Sequence, residues 1–189
     1  MKTLTSFAIN VLNIQKNNLR AMQLFGFIFT CIAGTLLHFL YEWSGNNIVA
    51  AVFSGVNEST WEHMKILFVP MFIYALVEKH LLSEKLCDYW CVKLKGILIG
   101  IFMIPFLFYT LNGVFGKTPA WLNIGIFYFS AAYSFIFEYT LFKKQKKCFI
   151  GQTMAFAFLC LVALAFLVLT FVQPELPIFL DPVTLKYGI

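Results

Sequence analysis

Residues 22–41, 97–115, 120–142 and 151–172 are apolar almost without interruption, and Glu138 is the only charged side chain in all four runs. A helix needs about 20 mostly apolar residues to cross a bilayer. Lipid cannot pair backbone N–H and C=O groups, so only helices and closed barrels span it. Barrel strands alternate apolar and polar residues, whereas these runs are apolar on every side. The runs therefore predict membrane helices. Composition agrees: 60% of the 189 residues are hydrophobic and 12% are charged, against about 45–50% and 25% in soluble domains. A mean hydropathy of +0.80 excludes a soluble enzyme, a disordered tail and a basic nucleic-acid module.

A fifth segment, residues 64–82, is weaker. Its uncharged stretch covers only residues 66–77 and contains Pro70. It spans if Glu78, Lys79 and His80 reach the interface by snorkelling. Charge bias supports the span, because Lys and Arg collect in cytoplasmic loops. With five spans and the N-terminus inside, the inner side holds 11 of the 14 Lys and Arg residues and the outer side 3 (Lys65, Lys117 and Lys186). Without the fifth span the group from Lys79 to Lys95 moves outside and the bias is lost. The expectation is an all-α, polytopic membrane helix bundle forming one domain. It has five transmembrane helices, a short re-entrant or interfacial segment near residues 46–56, and an N-in, C-out cell-membrane topology. Residues 1–21 form an inner leader, either an amphipathic surface helix or a frayed lead-in, and no cleavable signal peptide is visible. Residues 173–189, with Pro174, Pro177 and Pro182, form a non-helical tail docked on the outer face.

The net charge of +5 needs no nucleic acid, because lysine-rich loops facing an anionic inner leaflet account for it. The lipid bilayer is the one partner implied. Cys87, Cys91 and Cys148 fall on the inner side and none lies in an outer loop, so no disulfide is expected. Glu78 and Glu138, near the inner ends of their spans, are expected to pair with the neighbouring Lys79 and Lys143. Gly26, Thr30 and Gly34, and Gly96 and Gly100, repeat at a spacing of four that lets helices approach closely.

One polar cluster stands out on the outer side. His38 and Glu42 end the first span on one helix face. Asn57, Glu58, Trp61, Glu62, His63 and Lys65 open the next. Ionisable groups at membrane depth ask for a reason. Imidazoles mixed with carboxylates suit zinc, manganese or iron(II). The spacing nominates His38, Glu42 and His63 as ligands of a divalent metal such as zinc, Glu58 and Glu62 as acid–base groups, and Asn57, Trp61 and Lys65 as substrate contacts. The implied activity is metal-dependent hydrolysis of a lipid-type substrate. Two other readings use the same residues: a carrier of a small cation or polar solute, and a structural subunit. In the structural reading, Ser59 and Glu62 form a capping box, Trp43 and Trp61 belong to the aromatic belt, and Asp181-Pro182 is a simple turn. Neither HExxH nor GxSxG is present.

The two stretches from His38 to Gly45 (HFLYEWSG) and from Asn57 to Lys65 (NESTWEHMK), with the closing Asp181-Pro182, resemble a family of small multi-pass bacterial membrane proteins known only as a domain of unknown function. The resemblance covers most of the chain. It implies a bacterial integral membrane protein and points at the same residues, but it implies no reaction.

Overall fold

The computed structural model describes residues 2–82, 86, 88–116, 118–144 and 147–189, with side chains from residue 18 onward, Leu82 excepted. The described residues form six α-helices: α1 (Lys2–Trp43), α2 (Ile48–Phe53), α3 (Thr60–Leu82), α4 (Tyr89–Phe115), α5 (Ala120–Lys144) and α6 (Gln152–Phe171). A single 3₁₀ turn, Pro177–Phe179, interrupts the tail. Four stretches are long and apolar enough to cross a membrane: Asn18–Trp43 of α1, and helices α4, α5 and α6. The protein is thus an all-α chain with several membrane-length helices, and it resides in a lipid bilayer. The leader and the first run are one continuous helix.

Helix α3 is the hub. It packs on α1, α4, α5 and α6 and on the tail turn. Ile66, Leu67, Phe68, Met71 and Ala75 along it are all buried. Pro70 in α3 and Pro105 in α4 each delete a backbone donor, yet both helices run through; packed neighbours make such breaks tolerable in membrane helices. The outer helices instead turn apolar side chains outward, among them Phe25, Ile32, Phe106, Phe129, Leu161 and Leu164. Exposed apolar surface on this scale is unfavourable in water and natural against lipid tails.

The small residues mark the closest helix approaches. A side chain at Gly26 would strike Tyr74 and Phe135, and one at Gly34 would strike Phe127 and the Ile66 carbonyl. On α4, Gly96 and Gly100 lie directly against Glu138 and Ser134 of α5. At one end of the bundle, the last turns of α1 meet the first turn of α3. At the other, Gln23 of α1 donates to Glu78 of α3 at 2.9 Å.

Two expectations fail at that second end. Glu78 and Glu138 do not pair with their sequence neighbours. Both are fully buried and share Lys93 of α4, which bonds Glu138 at 2.6 Å and also pairs with Glu78. Packing three helices around one ammonium overrides sequence adjacency. The cysteine expectation also fails, because Cys91 and Cys148 form a disulfide with Cα atoms 6.4 Å apart. Asp88 explains the approach. Its Oδ2 accepts the Cys148 amide at 2.6 Å and its Oδ1 accepts Gln152 Nε2 at 3.3 Å, which ties the α5–α6 connection to the start of α4. Cys87 lies outside the described residues.

Candidate metal centre

The chain reverses sharply after α1. Gly45 and Asn46 both adopt positive φ, at 70° and 61°, and Asn47 then caps α2 by accepting the Val49 amide at 2.8 Å. The short α2 ends at Ser54, and the next residue comes back onto α1, where the Gly55 amide donates to the Leu37 carbonyl at 3.2 Å. That bond lays residues 55–59 across the face of α1 that carries His38. Asn57 and Ser59 then start α3. Asn57 Oδ1 accepts the Ser59 amide at 3.0 Å and Ser59 Oγ accepts the Glu62 amide at 3.4 Å. Only half of the predicted capping box forms, because the Glu62 carboxylate turns to the Val56 amide instead, at 3.1 Å.

This path puts Glu58 between two imidazoles. Its Oε1 lies 3.6 Å from His38 Nε2 and its Oε2 lies 3.7 Å from His63 Nε2. The two rings are 5.3 Å apart, centroid to centroid. One ligand atom from each of the three residues falls within 4.8 Å of the others. These contacts exceed hydrogen-bond length. They approach the separation of two atoms that share one tetrahedral metal, about 3.4 Å for bonds near 2.1 Å. His63 Nδ1 lies 2.9 Å from the Ser59 carbonyl. A carbonyl accepts only, so Nδ1 carries a proton, and Nε2 is the nitrogen turned toward Glu58 and the one placed to act as a ligand atom. A backbone carbonyl holding the far nitrogen in this way is the usual support of a metal-bound histidine. A neutral imidazole is the form that binds metal.

Beside the three residues opens a cleft of about 500 Å³. Ile104, Phe108, Ile124, Ile126 and Val183 supply an apolar wall, and Asn112, Thr118 and Asn123 supply a polar corner. Thr118 anchors that corner: its amide donates to Asn112 Oδ1 at 3.0 Å, and its hydroxyl lies 3.0 Å from Asn123 Oδ1. These three residues reach the site from the end of α4, the α4–α5 connection and the first turns of α5, far along the chain from His38 and His63, so spacing around the first hairpin does not reveal them.

The other nominated residues take different places. Glu42 is exposed and lies outside the group. Glu62 and Lys65 form a buried pair at 2.6 Å. Lys65 also donates to the Ala51 carbonyl at 2.9 Å and Thr170 Oγ1 at 2.8 Å, which binds α3 to α2 and α6. Trp61 packs at a tilt between Phe166 and Phe179, with centroids 4.6 and 4.8 Å away, and so seats the tail. Asn57 Nδ2 donates to the Gly188 carbonyl at 2.9 Å. The tail therefore does dock, on the same end as the cluster. Asp181 closes a turn by accepting the Val183 amide at 2.7 Å, and it still lies near enough to act on His63.

A family model described as "Family of unknown function (DUF6512)" matches residues 11–189. The chain belongs to that family. The matched stretch holds His38, Glu58 and His63 together with every described residue of the cleft. No curated protein and no solved structure matches the chain.

Proposed function

We propose that this protein is a five-span membrane metalloprotein in which His38, Glu58 and His63 bind a divalent cation, zinc by preference, at the extracytoplasmic end of the bundle. The convergence of one carboxylate and two imidazoles within 4.8 Å carries the reading. Two His and one Glu make the donor set of open catalytic zinc sites, which leave a position for water. A cation held there would lower the pKa of that water toward neutrality. Among the described residues lining the cleft Glu58 is the only acid, and its two oxygens give it both a ligand atom and an acceptor for the proton such a water sheds. The apolar wall accepts an acyl or prenyl portion and the Asn112–Thr118–Asn123 corner a polar head, so hydrolysis of a lipid-type substrate is the reaction that fits.

The fifth span is α3. His38 and His63 meet at one end of the α1–α3 pair, and Gln23 and Glu78 meet at the other. Each helix advances fifteen residues between those points, about 22 Å at 1.5 Å per residue. If α1 crosses the bilayer, α3 crosses the same depth beside it. The lysine bias then puts the metal end outside.

Metal analysis of the purified protein tests the reading. Wild type is expected to hold about one zinc per chain, the load of one mononuclear site, and His38→Ala and His63→Ala are expected to hold almost none. Equal, near-zero metal in all three sinks it.

A further inference from the structure

The end of the bundle opposite the metal centre carries a charge imbalance. Glu78 of α3, Lys93 of α4 and Glu138 of α5 are all at most 1% exposed, and two carboxylates share one ammonium. Lys93 also sits 5.5–5.8 Å from the ring centres of Tyr74, Tyr89, Phe135 and Phe142, which seal the site from water. The helices packed around Glu138 bring no second cation to it among the described residues. On α1, Arg20 donates to Tyr139 of α5 and Gln23 is neutral. On α3 the facing groups are Tyr74 and Glu78, while Lys79, half-buried, holds its ammonium 5.3 Å from the centre of the Tyr89 ring and pairs with neither carboxylate. On α4 they are Tyr89 and Lys93, while Lys95 turns to Cys148. One negative charge is left in a dry, protein-lined interior, an arrangement that neutralises itself rather than persist.

The two carboxylates are not equivalent. Glu78 accepts from Gln23 Nε2 at 2.9 Å, from Tyr89 Oη at 3.0 Å and from Lys93. Among the described residues Glu138 accepts only from Lys93, through Oε2, and its buried Oε1 has no partner. That unpartnered oxygen lies over Gly96, where any side chain would collide with it. Gln23 Oε1, at the same end, is a second buried acceptor without a donor. A carboxylate with several donors keeps its charge better than one with a single donor, so the excess negative charge falls on Glu138. We propose that Glu78, Lys93 and Glu138 form a buried proton-binding site, in which Glu138 takes up one proton on Oε1 and leaves Glu78 and Lys93 as a neutral ion pair. The proton comes from water and no other bond changes.

Infrared absorption of the purified protein at neutral pH and low sodium reads this directly. Wild type is expected to show the carbonyl stretch of a protonated carboxylic acid. Glu138→Gln is expected to lose that band and to melt at the wild-type temperature, because the amide copies the neutral acid. Absence of the band in wild type overturns the proposal, as does its survival in Glu138→Gln. A Glu138→Gln protein that fails to fold also counts against it, since a neutral side chain is what the site is held to contain. Loss of the band on adding sodium leaves a proton displaced by a cation and supports the site; a sodium requirement for the band contradicts it.

Discussion

Glu62 and Lys65 show why a charged residue near a site need not be part of its chemistry. Their pair is buried, and Glu62 additionally accepts from the Val56 amide and from Gln173. Removing one partner of a buried pair strands the other charge and costs about 3–5 kcal/mol. Glu62→Ala is therefore expected to lower the melting temperature sharply, whereas Glu42→Ala, at an exposed position, is expected to leave both melting temperature and metal content unchanged. Thermal unfolding and metal analysis of the two variants check this. A stable Glu62→Ala protein would mean that the pair contributes little, and a metal-depleted Glu42→Ala protein would return Glu42 to the ligand set. The sequence reading grouped Glu42 with His38 because they share a helix face. That rule counts neighbours within one helix and cannot see a loop that crosses the helix from elsewhere, which is how Glu58 arrives.

At the scale of elements, the apolar runs were legible because a bilayer imposes length and composition on each helix separately. The polar pairs at the far end were not, because Lys93 reaches Glu78 and Glu138 only after three helices pack. The tail lies between these cases: its apolar Leu176, Ile178 and Phe179 fit the expectation that it docks on the outer face, but its contacts were not legible. It docks through Phe179 under Trp61 and through Gly188, whose carbonyl accepts from Asn57 and whose amide donates to Gln173 at 2.8 Å. Asn57 precedes Glu58, so the tail fixes the loop that presents the carboxylate. Ending the chain after Thr184 removes both Gly188 bonds and spares Phe179. Hydrogen bonds of this kind contribute about 0.5–1.5 kcal/mol each. The truncated protein is expected to bind zinc roughly tenfold more weakly, since about 1.4 kcal/mol is one decade, while its helix content stays the same. Metal titration checks it, and unchanged affinity would show that residues 55–59 hold their path without the tail.

For the whole molecule, two signals bear on which end faces the cytoplasm, and they point in opposite directions. The lysine-rich end also carries the Cys91–Cys148 disulfide, and disulfides are rare on a reducing face. The lysine bias is the stronger signal, because it sums charges over every connection and acts during insertion, whereas one thiol pair can open after the fold is complete. The proposed N-in topology requires that Cys91 and Cys148 be thiols in growing cells and close only on oxidation. Rapid acid quenching followed by alkylation is expected to find both as free thiols, and diamide treatment to join them. A Glu42→Cys variant with Cys31 and Cys160 replaced is expected to react with a membrane-impermeant maleimide in intact cells. If instead the pair is closed at quenching and position 42 reacts only after permeabilisation, the bundle is inverted. His38, Glu58 and His63 would then face the cytoplasm and the disulfide the oxidising side. The two measurements must agree with each other, because α1 and α3 place the metal centre and the thiol pair at opposite ends of a single bundle.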